Sequence, residues 1–170
     1  MPPVPQVGNP PSLPNQPPAS GHRIPLSTSS STFPDPSQTG PAPCFDSDQS
    51  PMFIGSALFD KSVHPCKIGM HFPSHAVVAY GGQEHPHNGR YDLLPFVPEQ
   101  MEFVRTSYGQ IPPGRRPIEG GYEETGHKLY HAVGTVNGVR VPGKTAEHLG
   151  GCNIGYGGIE HVILENYEIL

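Results

Sequence analysis

An internal repeat is the feature of this chain that most constrains its fold. A shift of 77 residues aligns charged positions of the two halves, and the aligned pairs are Asp46 with Glu123 and Lys67 with Lys144. After a one-residue adjustment, the motif YGGxEH at 80–85 aligns with the same motif at 156–161. We interpret the chain as two copies, 44–94 and 121–170, joined by residues 95–120. Units of only about 50 residues bury too little surface to fold alone, so the copies are expected to pack on each other with pseudo-twofold symmetry.

Each copy has the sequence character of antiparallel β structure. Asn137-Gly138 lies between valines, and this dipeptide is the strongest short-range hairpin signal because a type I′ turn needs positive φ at both central positions. Asp60-Lys61 occupies the matching place in copy one. No long stretch carries a 3.6-residue apolar period with caps. We therefore predict an all-β fold made of two tandem repeats of antiparallel strands.

Residues 1–43 differ in composition from the predicted domain, which we place at 44–170. The segment is rich in Pro and Ser, almost uncharged and poor in large apolar residues. Because it cannot bury enough surface to offset the entropy of ordering, we predict a disordered arm. Its prolines at 11, 14 and 17 have the threefold spacing that SH3 or WW grooves recognise. The arm is therefore either a solvated spacer or a segment that recruits such partners.

Charge and composition exclude several classes of protein. A formal net charge of -5 and a pI near 6.0 argue against nucleic-acid binding. No apolar run reaches the ~18 residues of a membrane-spanning helix, so we expect no membrane insertion. The first residues, MPPVPQVGNPP, lack the basic start and apolar region of a secretory signal. We expect a protein that is cytoplasmic or released without a signal peptide.

Catalytic and metal-binding signatures are weak. The motifs GxSxG and HExxH and the phosphate-binding P-loop do not occur, so we predict neither an enzyme nor a cofactor. His85-x-His87 and His71-x-x-x-His75 have spacings suited to zinc or copper ligands. Only His71 and His85 recur in the second copy, so neither pair is repeated whole. A histidine-dependent metal binder stays an alternative, and we assign no metal site.

Several motifs of copy two resemble the DM-nine repeat in order and spacing. They are GQIP at 109–112, GGYE at 120–123, PGK at 142–144, YGGxE at 156–160 and YEIL at 167–170. The resemblance covers about residues 44–170, with two tandem copies as in other members. It implies a β-rich carbohydrate-recognition domain of the mannose-binding lectin type, acting in recognition or defence.

The resemblance also implies which residues bind sugar. They are the acid after the Gly-Gly pair and the Lys of Pro-Gly-Lys, here Asp46 with Lys67 and Glu123 with Lys144. A carboxylate and an ammonium can together clamp vicinal hydroxyls through charge-assisted hydrogen bonds. Mannose-containing glycans are thus the expected partners. Two weak sites would gain affinity through multivalency, and a homodimer or higher oligomer would add to it.

A second tier of candidate residues comes from the YGGxEH motifs, namely Glu84, Glu160, Tyr80 and Tyr156. The acids could line the sugar pocket or accept backbone N–H groups inside the fold. The tyrosines could stack on a sugar or simply lie half-buried in strands. We expect the copy-two site to be closer to the family geometry, because copy two keeps the Gly-Gly and Pro-Gly-Lys motifs.

Two cysteines replace glycines when the copies are aligned. Cys44 stands where copy two has Gly121, and Cys66 stands where it has Gly143. The glycines are consistent with a close approach of two backbones. The cysteines either fill space as free thiols or form an oxidisable link beside the copy-one site. The main alternative to a lectin is an interaction scaffold whose proline-rich arm recruits partners.

Overall fold

The computed structural model describes residues 21–30 and 32–170. The regular secondary structure of these residues consists almost only of antiparallel strands. The strands are β1 Ile24–Ser27, β2 Cys44–Phe45, β3 Pro51–Leu58, β4 Val63–Ile68, β5 Ala76–Tyr80, β6 Gln83–Pro86, β7 Arg90–Leu94, β8 Val104–Thr106, β9 Glu119–Tyr122, β10 Lys128–Val136, β11 Val139–Ala146, β12 Gly151–Tyr156, β13 Ile159–Ile163 and β14 Tyr167–Ile169. Helical structure in this part of the chain consists of α1 at Pro36–Thr39 and a 3₁₀ turn at Glu147–Leu149. No described helix has the length and hydropathy needed to cross a bilayer. The prediction of an all-β fold is confirmed.

Eight of the strands close into a barrel. Their hydrogen-bonded order is β4-β5-β6-β13-β12-β11-β10-β9, and β9 closes the ring because it pairs with both β10 and β4. Closure brings β9 so near to β4 that a Cβ at Gly121 would overlap the carbonyl oxygen of Val63. Cys44 occupies the equivalent place on β2, which pairs with β3. A side chain is tolerated there because that strand does not close the ring.

The two copies are related by a pseudo-twofold axis that passes between β6 and β13. At this junction the backbone N–H of Glu84 donates to the carbonyl of Gly158 over 3.1 Å. The reciprocal bond joins Glu160 N–H to the carbonyl of Gly82 over 3.0 Å. Because both bonds connect equivalent positions of the YGGxEH motifs, the predicted pseudo-twofold packing is confirmed.

Both predicted hairpins are present. Asn137 and Gly138 connect β10 to β11 with φ of 49° and 78°, the positive values that a type I′ turn requires. In copy one, the N–H of Phe59 donates to the carbonyl of Ser62 over 2.9 Å and encloses the turn at 60–61. The residues predicted to form a turn in each repeat therefore do connect the two strands of a hairpin.

The boundary predicted at residue 43 lies too late in the chain. β1 pairs with β7, and the side chain of Arg23 is buried between the copies. The guanidinium of Arg23 donates to Ser56 Oγ over 3.0 Å and to the carbonyl of Glu119 over 2.7 Å. The composition of this segment did not predict its docking, because one short strand and one arginine attach it to the domain. Residues 1–20 lie outside the described residues, so the disordered arm and its proline spacing stay predictions there.

The segment predicted as a linker, 95–120, is likewise part of the fold. It contains β8, which pairs with β14 and places Val104 opposite Ile169. In the first half of the chain β1 does the same with β7, placing Ile24 opposite Leu93. Each repeat therefore begins with a short strand upstream of the predicted limits. IPLS and VRT share no recognisable sequence, so the alignment of the copies could not reveal them.

The apolar core is divided into two clusters of buried side chains. Cys44 and Cys152 belong to one cluster, together with residues such as Val141 and Ile154. Cys66 belongs to the other, with Ile68. All three thiols are free and buried. Since Cys44 and Cys66 pack in different clusters, the structure favours space-filling thiols over a link between them.

Candidate functional site

Lys67 on β4 is buried and surrounded by groups from both copies. Its ammonium donates to the carbonyl of Gly155 over 2.7 Å and to the carboxylate of Glu84 over 3.3 Å. The ring centroids of Phe72 and Tyr156 lie 4.8 and 5.8 Å from Nζ. Only 4% of Lys67 is exposed, so this charge depends on its protein partners for solvation.

Lys144 on β11 occupies the equivalent place in copy two. Its Nζ lies 3.2 Å from Nδ1 of His64 and 5.4 Å from the ring centroid of Tyr80. Because an ammonium only donates, Nδ1 of His64 accepts, and its Nε2–H points to Ser62 Oγ over 3.1 Å. This is the one hydrogen bond that Lys144 makes within the described residues. Two of its three N–H groups are left for another acceptor.

The two lysines are exchanged between the copies. Lys67 belongs to copy one but lies against Tyr156 of copy two, whereas Lys144 of copy two lies against Tyr80 of copy one. Tyr80 has 54% of its surface exposed, so its ring is open to a ligand. Each candidate site is therefore composite, and neither repeat contains a complete one.

Two carboxylates act on each buried ammonium. Burial lowers the pKa of both lysines. Glu84 and Asp46 oppose this shift for Lys67. Glu160 and Glu123 oppose it for Lys144. The structure thus brings all four predicted first-tier residues, together with the acids of the YGGxEH motifs, into two equivalent arrangements. In each of them, a lysine lies in the field of two acids.

The direct contacts of Asp46 and Glu123 differ from the expected acid–lysine clamp. The carboxylate of Asp46 lies 2.8 Å from Nε2 of His71, and that of Glu123 lies 2.5 Å from Nε2 of His148. Within the described residues, no ion pair of 4.0 Å or less joins either acid to its lysine. The histidine partners were missed, although their recurrence in both copies was a usable signal.

The acids of the YGGxEH motifs also differ from each other. Glu84 pairs with Lys67, as described above. Glu160 instead accepts from the backbone N–H of Gly82 over 3.1 Å and from the amide of Asn153 over 3.4 Å. Glu160 therefore accepts a backbone N–H, whereas Glu84 forms an ion pair with a candidate lysine. Since Glu160 is engaged elsewhere, Lys144 keeps more of its hydrogen-bonding capacity than Lys67.

His64 is held neutral next to Lys144. Burial, reinforced by the positive charge of Lys144, lowers the pKa of His64 to about 3. A neutral imidazole with Nε2 protonated is the form that can accept a hydrogen bond from the ammonium. The equivalent residue of copy two is Val141, so this polar contact exists in one copy alone.

The two histidines of the His85-x-His87 pair each direct a ring nitrogen to a backbone carbonyl. Nε2 of His85 lies 2.9 Å from the carbonyl oxygen of Tyr80, and Nε2 of His87 lies 2.7 Å from that of Arg90. Asp46, Asp48 and His71 do bring possible ligand atoms within 4.8 Å of one another. Thr125 replaces Asp48 in copy two, so this grouping is not part of the repeated arrangement.

A cavity of about 630 Å³ adjoins the copy-two lysine. His64 and Tyr80, which both contact Lys144, form part of its wall, and Glu124 extends it from the side of Glu123. A larger hollow of about 760 Å³ is lined by residues 105–113 and Glu147. None of the candidate lysines or acids lines that hollow, which is mainly the concave side of one loop.

The repeated motifs and their placement agree with a known family. The sequence matches the DM9 repeat over residues 46–163. The chain belongs to the DM9 repeat family. This is the DM-nine family that the motifs of copy two resemble, and the match extends across both copies.

One solved structure supports the same fold for this DM9 protein. The nematode sperm cell motility protein MFP2B superposes with a TM-score of 0.62 at 16% sequence identity. The alignment covers 92% of this chain and 47% of that chain, so this protein spans about half the length of its structural relative. At 16% sequence identity, the similarity shows a common fold and nothing further. A search among curated proteins gave no match.

Proposed function

We propose that this DM9 protein is a lectin that binds mannose-type glycans at its two composite sites. One observation carries the proposal: a buried lysine lies in the electrostatic field of two carboxylates and against a tyrosine of the other repeat, and the arrangement occurs twice. Membership of the DM9 family supports a carbohydrate ligand through the same acid and lysine positions.

The chemistry of the sites suits vicinal hydroxyl groups. A sugar hydroxyl both donates and accepts, so one hydroxyl can accept from the lysine while its neighbour donates to a carboxylate. Such charge-assisted bonds are roughly twice as strong as neutral ones. The face of Tyr80 can pack against the C–H groups of the sugar ring, because the π face carries negative charge. In this proposal the protein binds glycans without cleaving them.

The two sites differ in how much hydrogen-bonding capacity is free. Lys67 already donates to Gly155 and Glu84, which leaves one N–H. Lys144 donates to His64 alone within the described residues, which leaves two. We therefore propose that the Lys144 site binds mannose more tightly than the Lys67 site.

The test is isothermal titration with mannose on lysine-to-methionine variants. Methionine keeps much of the length of lysine and removes its charge. Lys144→Met should weaken binding at its site roughly 10- to 100-fold, the equivalent of one lost charge-assisted hydrogen bond. Lys67→Met should have a smaller effect. Lys128→Met is the matched control, because Lys128 is 62% exposed and pairs with Glu119 at the surface.

Two results would contradict the proposal. The absence of mannose binding by the unmodified protein would remove the lectin function. A larger loss from Lys67→Met than from Lys144→Met would reverse the order of the sites. A mannose-agarose capture of the full chain, eluted with free mannose, separates the lectin from a scaffold that acts through residues 1–20.

Binding to multivalent surfaces should exceed binding to free mannose. Two weak sites on one chain act through effective concentration, and self-association would multiply this effect. We therefore propose homodimers or larger assemblies as the binding form. Analytical ultracentrifugation with and without a mannosylated polymer measures this directly, and a monomer that binds polymer no better than monosaccharide would contradict it.

A further inference from the structure

The cavity beside Lys144 is lined by aromatic residues that copy two does not repeat. Its walls include the aromatic rings of Phe59, His64 and His87. The aligned positions of copy two are aliphatic, namely Val136, Val141 and Ile163. Because this lining differs between the copies, the Lys144 site can bind a ligand in a way that the Lys67 site cannot.

The rings of this cavity are fixed by contacts with one another. Phe59 meets His64 edge-on at 5.4 Å and His87 edge-on at 5.0 Å between centroids. His64 in turn meets Tyr80 edge-on at 5.4 Å. Edge-to-face packing is a favourable arrangement for aromatic pairs, so these four rings hold a preformed wall. The wall ends at Lys144, which contacts both His64 and Tyr80.

The polar groups of the cavity include several acceptors as well as the donors of Lys61 and Asn88. Nε2–H of His87 donates to the carbonyl of Arg90, which leaves Nδ1 as a buried acceptor with no hydrogen-bond partner in the described part of the chain. His85 donates through Nε2 to the carbonyl of Tyr80, so its Nδ1 is also an acceptor. The carboxylates of Asp60 and Glu124 line the same space. A surface with both donors and acceptors suits a neutral ligand with several hydroxyl groups, since each hydroxyl both donates and accepts.

We propose that this cavity is a second sugar subsite that continues the Lys144 site. A ligand with one hexose at Lys144 would place its next linked hexose against Phe59. The inference rests on the proposed lectin function and adds the ligand class: the copy-two site takes a disaccharide or longer glycan, whereas the Lys67 site takes a terminal monosaccharide.

Size and chemistry support a hexose in this space. Small-molecule pockets are typically about 300–1,000 Å³, and the cavity falls within that range at about 630 Å³. The C–H groups on one face of a hexose complement an aromatic face, and its hydroxyls complement imidazole nitrogens and carboxylates. At the Lys67 site, Phe72 and Glu84 stand close to the ammonium, at 4.8 and 3.3 Å.

The experiment compares mannose with α-linked mannobiose by isothermal titration. The unmodified protein should bind mannobiose about tenfold more tightly than mannose, because an additional ring stacks and donates hydrogen bonds. Phe59→Val introduces the residue of the equivalent copy-two position and should reduce the preference to less than about twofold. Mannose affinity should stay the same in this variant. Phe59→Tyr keeps the ring and should keep the preference for the disaccharide.

The outcomes separate this inference from the lectin function on which it rests. If the unmodified protein binds mannose but gains nothing from the second hexose, the subsite is excluded and the lectin function stands. If it binds neither sugar, the subsite and the lectin function are both refuted. If Phe59→Val weakens mannose and mannobiose equally, with an unchanged far-ultraviolet circular dichroism spectrum, the ring serves the Lys144 site itself and the subsite is refuted.

Discussion

Replacement of His131 by isoleucine should make this protein more stable and less sensitive to acid. His131 lies on β10, directly opposite Lys144, and only 1% of it is exposed. Among the residues that the structure describes, neither of its ring nitrogens finds a hydrogen-bond partner. The equivalent residue of copy one is Ile54, which lies opposite Lys67 in the same register. The repeat therefore supplies an apolar residue that fits this position in the strand.

The expected gain at neutral pH follows from the unpaired nitrogens. A buried polar group without a partner costs about 1–3 kcal/mol, so we expect His131→Ile to raise the free energy of unfolding by about 2 kcal/mol at pH 7.5. The chain has no tryptophan. Urea unfolding is therefore best followed by far-ultraviolet circular dichroism. His22→Ile is the matched control at an exposed position and should change stability by less than about 0.5 kcal/mol.

The pH dependence provides a second, independent test. Burial, reinforced by the charge of Arg23, lowers the pKa of His131 well below its usual 6.5. The unfolded chain takes up a proton on this ring below pH 6.5 and the folded chain does not, so the folded state loses stability as pH falls through that region. At pH 5 the loss is about 2 kcal/mol for this one residue. His64 contributes in the same direction, since its pKa is lowered to about 3.

The variant should therefore lose about 2 kcal/mol less than the unmodified protein between pH 7.5 and pH 5. This difference does not depend on how well isoleucine fits, because poor packing lowers stability at both pH values alike. An acid sensitivity equal to that of the unmodified protein would refute the reasoning, whatever the stability at pH 7.5.

Two further predictions concern the buried arginine and the buried thiols. Arg23→Met should lower the free energy of unfolding by about 3 kcal/mol in urea titrations, since charged hydrogen bonds to Ser56 and Glu119 are lost. Arg116→Met, at an exposed position, should be nearly neutral, and equal effects would show that the start of the chain is not docked. Burial raises the pKa of Cys44 to about 12 and raises those of Cys66 and Cys152 as well, so the folded thiols stay protonated above pH 9 while the unfolded ones ionise. Stability should fall by up to about 4 kcal/mol by pH 10 for the three thiols together, and triple replacement by alanine should abolish this dependence.

The sequence predicted the parts of the fold that local chemistry encodes. Asn137-Gly138 marked the hairpin because few other dipeptides satisfy a type I′ turn. Comparison of the two copies identified the YGGxEH motifs, and these lie at the pseudo-twofold axis. Gly121 and Gly143 suggested close backbone approach, which is confirmed, since a Cβ at either position would overlap a carbonyl oxygen of a neighbouring strand.

The parts that escaped prediction depend on contacts between distant segments. β1 and β8 are held by pairing with β7 and β14, and their own residues carry almost no strand signal. The exchange of Lys67 and Lys144 between copies arises from the closure of the barrel, which no motif within one copy encodes. Alignment showed which residues are equivalent but not which of them meet.

The exchange of tyrosines between the two sites has a consequence for how such a protein can change over generations. A homodimer of a single repeat, related by a true twofold axis, would contain both sites, so the fused chain retains the geometry of a dimer. Once fused, a substitution at Tyr80 alters the site of Lys144, and one at Tyr156 alters that of Lys67. A substitution in one repeat thus changes a candidate site that holds the lysine of the other, so the two repeats do not diverge independently.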